Sequence, residues 1–125
     1  MIKTISTDKA PAAIGPYCQA MVHGDMVFTS GQISLDPVTG EVVGNDIVSQ
    51  TKQVLENLTA VLNEAGTSPE NAIKTTCFLA DMADFADFNA VYAEVFTGKP
   101  ARSCVAVKTL PKNVLVEVEC IAVIK

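Results

Sequence analysis

Residues 114–124 form a stretch that is apolar on both sides, and few folds accept such a strand. Val114, Val116, Val118, Cys120, Ala122 and Ile124 alternate to one side; Leu115, Glu117, Glu119, Ile121 and Val123 alternate to the other. Successive side chains of a strand point to opposite faces of its sheet, so both faces of this one ask for cover. The chain has few elements to supply it. Residues 46–65 read as a helix: Asp46 is a candidate N-cap, Ile47, Thr51, Val54, Leu55, Leu58, Val61, Leu62 and Ala65 recur at three-four spacing, and Gly66 supplies the stop. A second helix is expected over 84–96, with Phe85, Phe88, Tyr92, Val95 and Phe96 on one face.

The remaining segments read as strands: 2–5, 17–22 and 26–30 around a turn at His23-Gly24-Asp25, 73–79 and 102–108. The order β-β-β-α-β-α-β-β fits a single α+β domain over residues 1–125, a sandwich of one sheet with both helices on one face. The other face is then left for a partner subunit. The bulk numbers agree: 125 residues with 49% hydrophobic and only 18% charged residues make an apolar chain for a small monomer.

The net charge of −5 gives no footprint for nucleic acid, and no apolar run is long enough to span a bilayer. The start of the chain lacks a signal-peptide pattern, so the expectation is a cytoplasmic protein. Cys18, Cys77, Cys104 and Cys120 form no C-x-x-C pair and have only His23 as an imidazole companion. They read as reduced thiols rather than zinc ligands.

The candidate chemistry centres on Arg102, the one arginine of the chain, set in Ala101-Arg102-Ser103-Cys104-Val105. A guanidinium stays charged and offers a planar fork suited to a carboxylate. Its partner is either an internal acid, Glu117 or Glu119, or an anionic ligand. A hairpin of the last two strands turning at Pro111-Lys112 pairs Arg102 with Ile121 and Cys104 with Glu119. Glu117 then shares the face of Arg102 but lies about 13 Å along the strands, too far for an intimate pair. Glu117 is therefore aimed at a water, a ligand or a neighbouring subunit.

Three further positions have two readings each. Tyr17, after Gly15-Pro16, is a core tyrosine or a pocket wall. Ser30, in Thr29-Ser30-Gly31-Gln32, ends a strand or presents donors to an anion. Asn89, between Phe88 and Val91, is a solvated edge or a pocket hydrogen-bonder. Cys104 has no base nearby to make it a nucleophile. No Walker loop and no G-x-G-x-x-G is present.

Several segments together resemble the reactive-intermediate deaminase family, also called RidA or YjgF. They are Ala10-Pro11-Ala12-Ala13-Ile14-Gly15-Pro16-Tyr17, Phe28-Thr29-Ser30-Gly31-Gln32-Ile33, Asp84-Phe85 through Asn89 and Tyr92, Pro100-Ala101-Arg102-Ser103-Cys104-Val105, and Leu110-Pro111-Lys112 through Glu117 to Val123. The resemblance covers nearly the whole chain. It implies a chorismate-mutase-like fold and a homotrimer with its sheets packed inside and a pocket at each interface. It also implies hydrolysis of 2-imino acids, such as 2-iminopropanoate and 2-iminobutanoate, to 2-keto acids and ammonia, with no cofactor and no metal.

By that resemblance Arg102 holds the substrate carboxylate, Glu117 holds the attacking water, and Tyr17, Ser30, Asn89 and Cys104 complete the pocket. The link Phe96-Thr97-Gly98-Lys99-Pro100-Ala101 is several residues shorter than in typical bacterial members and should lie near the pocket mouth. Two rivals share the fold: a non-enzymatic RNA-, translation- or chaperone-related binder, and another enzyme of small carboxylic acids.

Overall fold

Asp46 starts the long helix as its spacing predicts. Its carboxylate accepts hydrogen bonds from the Ser49 amide at 2.7 Å and the Ser49 hydroxyl at 2.8 Å. A cap of this kind is worth about 1 kcal/mol. The computed structural model describes residues 1–125 and contains β1 (Ile2–Ile5), β2 (Ala20–His23), β3 (Met26–Thr29), α1 (Ile47–Glu64), β4 (Ala72–Leu79), α2 (Phe85–Val95), β5 (Ala101–Ala106) and β6 (Val116–Val123). Element order and type follow the expectation; β2 is shorter, starting at Ala20 rather than Tyr17.

The six strands form one mixed sheet in the order β1-β2-β3-β6-β4-β5. Both helices pack on the same side. Val54, Leu55, Leu58, Val61 and Leu62 of α1 and Phe88 and Tyr92 of α2 share a core with Val27, Cys77, Leu79, Val116, Val118, Cys120 and Ala122 of the sheet. The alternating burial of β6 matches its two-sided pattern, with Val116, Val118, Cys120 and Ala122 underneath the helices. On the open face Met21, Phe28 and Val105 stand exposed. No helix is long and apolar enough to cross a membrane.

One expectation fails, with consequences for the site. β5 and β6 do not form a hairpin. β4 lies between them, parallel to β5 and antiparallel to β6. The reason is topological: the β4-α2-β5 crossover seats β5 outside β4, at the sheet edge, and leaves the inner flank of β4 for the returning chain. The connection crosses the end of β4 through a turn at Pro111–Asn113, in which Lys112 and Asn113 take left-handed backbone angles (both φ 55°).

The register then settles parity. Arg102 lies beside Thr75, which is fully buried under the helices, whereas Glu117 lies beside Phe78. Thr75 and Phe78 are an odd number of residues apart, so Arg102 faces the helices and Glu117 faces the open side. The expected common face for Arg102 and Glu117 is thus corrected. The two are three residues apart along the sheet and two strands apart across it, about 14 Å between backbones.

Candidate functional site: two residue clusters on opposite faces

The site residues named from the sequence separate into two groups. Asn89, Arg102 and Cys104 belong to the helix side; Tyr17, Ser30 and Glu117 belong to the side opposite.

On the helix side, the guanidinium of Arg102 is held on three counts. Its Nη1 donates to Asn89 Oδ1 at 2.7 Å. Its Cζ lies 4.9 Å from the centroid of the Tyr92 ring and 5.5 Å from that of Phe85. Tyr92 is itself fixed, since its hydroxyl shares a buried hydrogen bond of 2.6 Å with Thr75 Oγ1 and its ring stacks on Phe96 at 4.7 Å. Burial pushes the Tyr92 hydroxyl above its ordinary pKa, partly opposed by the Thr75 bond, so it stays a neutral phenol.

None of the partners of Arg102 is a carboxylate. The internal ion pair considered from the sequence is not formed, and most of the fork remains available. Asn89 proves to be a hydrogen-bonder of Arg102 rather than a solvated edge. A hollow of about 310 Å³ opens beside Arg102, lined by Tyr92, Phe96, Thr97, Lys99 and Pro100 among others.

Cys104 is one step along β5 on the same face, in register with Cys77. Burial raises its thiol pKa and the charge of Arg102 pulls it back only in part. It is a neutral thiol near neutral pH, which removes the nucleophile reading. All four cysteines are free, and burial pushes Cys77 and Cys120 to about 12.

The second half-site is a smaller hollow of about 120 Å³. Tyr17, Gly31, Gln32, Pro111 and Glu117 are among its walls. Glu117 is half-buried. Its pKa is raised, first by burial and then by the neighbouring charge of Glu119. Gly31 explains how the carboxylate is seated: a Cβ there would collide with it. The backbone comes that close because the β3–β6 ladder is interrupted. Pairing runs to Phe28–Ile121, the Thr29 hydroxyl then accepts the Cys120 amide at 3.0 Å, and pairing resumes at Gln32–Val118. One extra residue on the β3 side throws Gly31 over Glu117.

Ser30 is adjacent, but its hydroxyl donates to the Cys18 carbonyl at 2.6 Å and so braces the strand end. Tyr17 is exposed, so the core reading fails; its hydroxyl accepts from the Ile14 amide at 3.4 Å. Gln19, fully inside, ties down the proline-rich loop. It accepts from the Thr7 amide at 2.7 Å and donates to the Pro11 carbonyl at 2.8 Å.

The sequence reading missed the work of Gly31, Gln19, Thr75 and the Tyr92–Phe85 cage. Only Gln19 carried a legible signal, a polar residue entering an apolar strand. The largest hollow, about 630 Å³, lies elsewhere between the outer surfaces of α1 and α2. It mixes lysines with glutamates and contains no candidate site residue.

The profile of the family described as endoribonuclease L-PSP matches residues 7–124. Among curated relatives, the 2-iminobutanoate/2-iminopropanoate deaminase of Salmonella typhimurium is 51% identical over 98% of each chain. A RutC family protein of Pyrococcus abyssi is 52% identical over 96% of this chain and 95% of its own. Among solved structures, Escherichia coli TdcF with bound serine superposes with a TM-score of 0.93 at 47% identity, covering 98% of this chain and 99% of that one. On the match of the family model and of these relatives, the chain belongs to the endoribonuclease L-PSP family, that of YjgF and RidA.

Proposed function

We propose that the protein hydrolyses reactive 2-imino acids, with 2-iminobutanoate and 2-iminopropanoate as typical substrates, to 2-oxo acids and ammonia. The observation that carries this reading is the guanidinium of Arg102: held in place, lacking an acid partner, and presenting its free edge to a hollow. Such a group selects a carboxylate. The name of the Salmonella relative supplies the reaction.

One protomer holds its carboxylate clamp and its candidate base on opposite faces of the sheet, so a three- or four-carbon acid cannot touch both. The working site is therefore read as shared. Arg102, Asn89 and Cys104 come from one copy, and Tyr17, Ser30 and Glu117 from the next, in a homotrimer closed over the open sheet faces. β5 lies at the sheet edge, where a neighbour can reach Arg102.

In that site Arg102 binds the substrate carboxylate. The imine nitrogen, protonated, makes the adjacent carbon electrophilic. Glu117 orients a water and accepts its proton as the oxygen attacks that carbon. The raised pKa of Glu117 suits it to return the proton to nitrogen. Collapse of the tetrahedral adduct forms the C=O bond and breaks the C–N bond, with Glu117 taking the hydroxyl proton and passing it to the departing ammonia or to solvent. Water is the only co-reactant, and the reaction is redox-neutral.

The family description names an endoribonuclease. A chain of net charge −5 with a single guanidinium is poorly matched to a phosphodiester backbone. A coupled assay tests the proposal: threonine dehydratase releases the imine from threonine, and its lifetime is followed with and without this protein. The lifetime should shorten in proportion to added protein. An unchanged lifetime over a hundredfold range of protein would overturn the reading.

A further inference from the structure

The hollow beside Arg102 holds a second cation. Lys99 lines it together with Arg102, and no acidic residue is among its walls. That is unusual in a chain whose acids outnumber its strong cations by 14 to 9. Glu70, whose backbone carbonyl lies against Gly98, has its carboxylate engaged by the Ser68 hydroxyl at 2.6 Å.

The backbone that carries Lys99 is firmly seated. Lys99 takes a left-handed conformation (φ 52°), uncommon for a residue with a side chain. Its amide donates to the Phe96 carbonyl at 3.3 Å. Gly98 packs directly on the Glu70 carbonyl, where an added Cβ would stand 2.7 Å from the oxygen. The short link between α2 and β5 is thus pressed onto the turn Pro69–Asn71 and holds the Lys99 backbone at the rim of the hollow. Besides the two cations and Thr97 the walls are Tyr92, Ala93, Phe96 and Pro100, largely apolar surface suited to methylene groups.

A single carboxylate is satisfied by Arg102 alone. Two cations in the wall of one largely apolar hollow match two acids on one short chain. We propose that Lys99 makes the Arg102 hollow a dicarboxylate site, so that the preferred imines are those of acidic amino acids, with the second carboxylate on Lys99. The inference deepens the imine-hydrolase reading by naming its substrate class, and it rests on that reading for its kinetic half only.

The test has two arms on the full-length protein, each comparing wild type, Lys99→Met and Lys99→Arg. Calorimetry measures binding of 2-oxoglutarate against 2-oxobutanoate, stable product-like acids that differ in the second carboxylate. Kinetics compares the imines released by an amino-acid oxidase from glutamate and from 2-aminobutyrate. The expected preference for the dicarboxylate is about fivefold, the upper range for a solvent-exposed ion pair. It should vanish in Lys99→Met, persist in Lys99→Arg, and shrink as salt is raised.

Equal affinity of the wild type for both acids overturns the proposal, as does a preference that survives Lys99→Met. The two readings fail separately. A dicarboxylate preference in calorimetry with neither imine hydrolysed sinks imine hydrolysis and sustains the dicarboxylate site. Hydrolysis of both imines with no preference does the reverse.

Discussion

The two halves of the proposed site are built by different means. Around Arg102 the support comes from side chains of the core: Tyr92 beneath the guanidinium, Thr75 beneath Tyr92, Phe96 stacked beside it, Asn89 at the edge. Around Glu117 it comes from backbone: a strand interruption that lowers Gly31 onto the carboxylate, and a loop strapped by Gln19. A cation stacked on rings tolerates small shifts, because the attraction varies slowly with distance. A carboxylate under a glycine does not, because an added methyl group there would push the carboxylate out of its seat. The binding end of the proposed site is thus robust, and its catalytic end fragile.

The largest expected effect tests whether the two halves meet across an interface. Arg102→Ala and Glu117→Gln should each lower kcat/KM by about a thousandfold, the scale of a lost charge-assisted clamp or a lost general base. Refolded together in equal amounts, the two inactive proteins should regain activity. A mixed interface then pairs an intact Arg102 with an intact Glu117 in about one site of four, by random assembly of a symmetric ring. A mixture as inactive as its components, with trimers present by sedimentation, would sink the shared site.

Gly31→Ala comes next and strikes the fragile half alone. The new Cβ must displace the Glu117 side chain, since the interrupted ladder holds the backbone on both sides. We expect kcat to fall by ten- to a hundredfold with KM little changed, because the carboxylate clamp is untouched. A proportionate rise in KM instead would mean that Gly31 shapes binding rather than the base.

How much of this was readable beforehand follows the same division. The helices were legible because apolar spacing and caps are local: Asp46, Gly66 and the Leu55–Leu58–Leu62 stripe each act within a turn or two. Arg102 was legible because it is the one arginine of the chain, and Glu117 because it and Glu119 interrupt an otherwise apolar strand. Strand pairing was not. The hairpin expected for 102–108 and 114–124 is the default for neighbours in sequence, and only the crossover through α2 displaces it. That one error in adjacency carried a second, since inserting β4 turned Glu117 to the other face from Arg102. The closeness of Gly31 to Glu117 is likewise a tertiary fact, with no periodicity to announce it.

Glu119 offers a smaller and graded perturbation. Its charge helps to raise the pKa of Glu117, after burial. A base must be deprotonated to act, so the raised pKa places the acid limb of kcat above the ordinary carboxylate range. Glu119→Gln removes a repelling charge, makes ionisation of Glu117 easier, and should move that limb to lower pH. The imine's own protonation is the same for both proteins and drops out of the difference. A limb that moved upward, or stayed fixed, would show that Glu117 is not the group that titrates.

The smallest effect on activity should come from the robust half, and its reason is specific. Tyr92→Phe keeps the ring against Arg102 but leaves the fully buried Thr75 hydroxyl with only the long, weak contact from the Cys77 thiol at 3.9 Å. An unpaired buried hydroxyl costs about 1–3 kcal/mol, a drop of several degrees in Tm for a domain of this size. The cation's seat survives, so kcat/KM should stay within about twofold. Adding Thr75→Val removes the stranded group, and the double variant should recover most of the lost Tm, since two matched apolar groups need no partner. Tyr92→Leu has no such rescue: the ring is gone, Arg102 loses its nearer aromatic face, and KM should rise while the Glu117 half continues to set kcat. Should Tyr92→Phe abolish activity outright, the hydroxyl would have a direct part in the chemistry, and the contrast between a side-chain-built binding half and a backbone-built catalytic half would no longer hold.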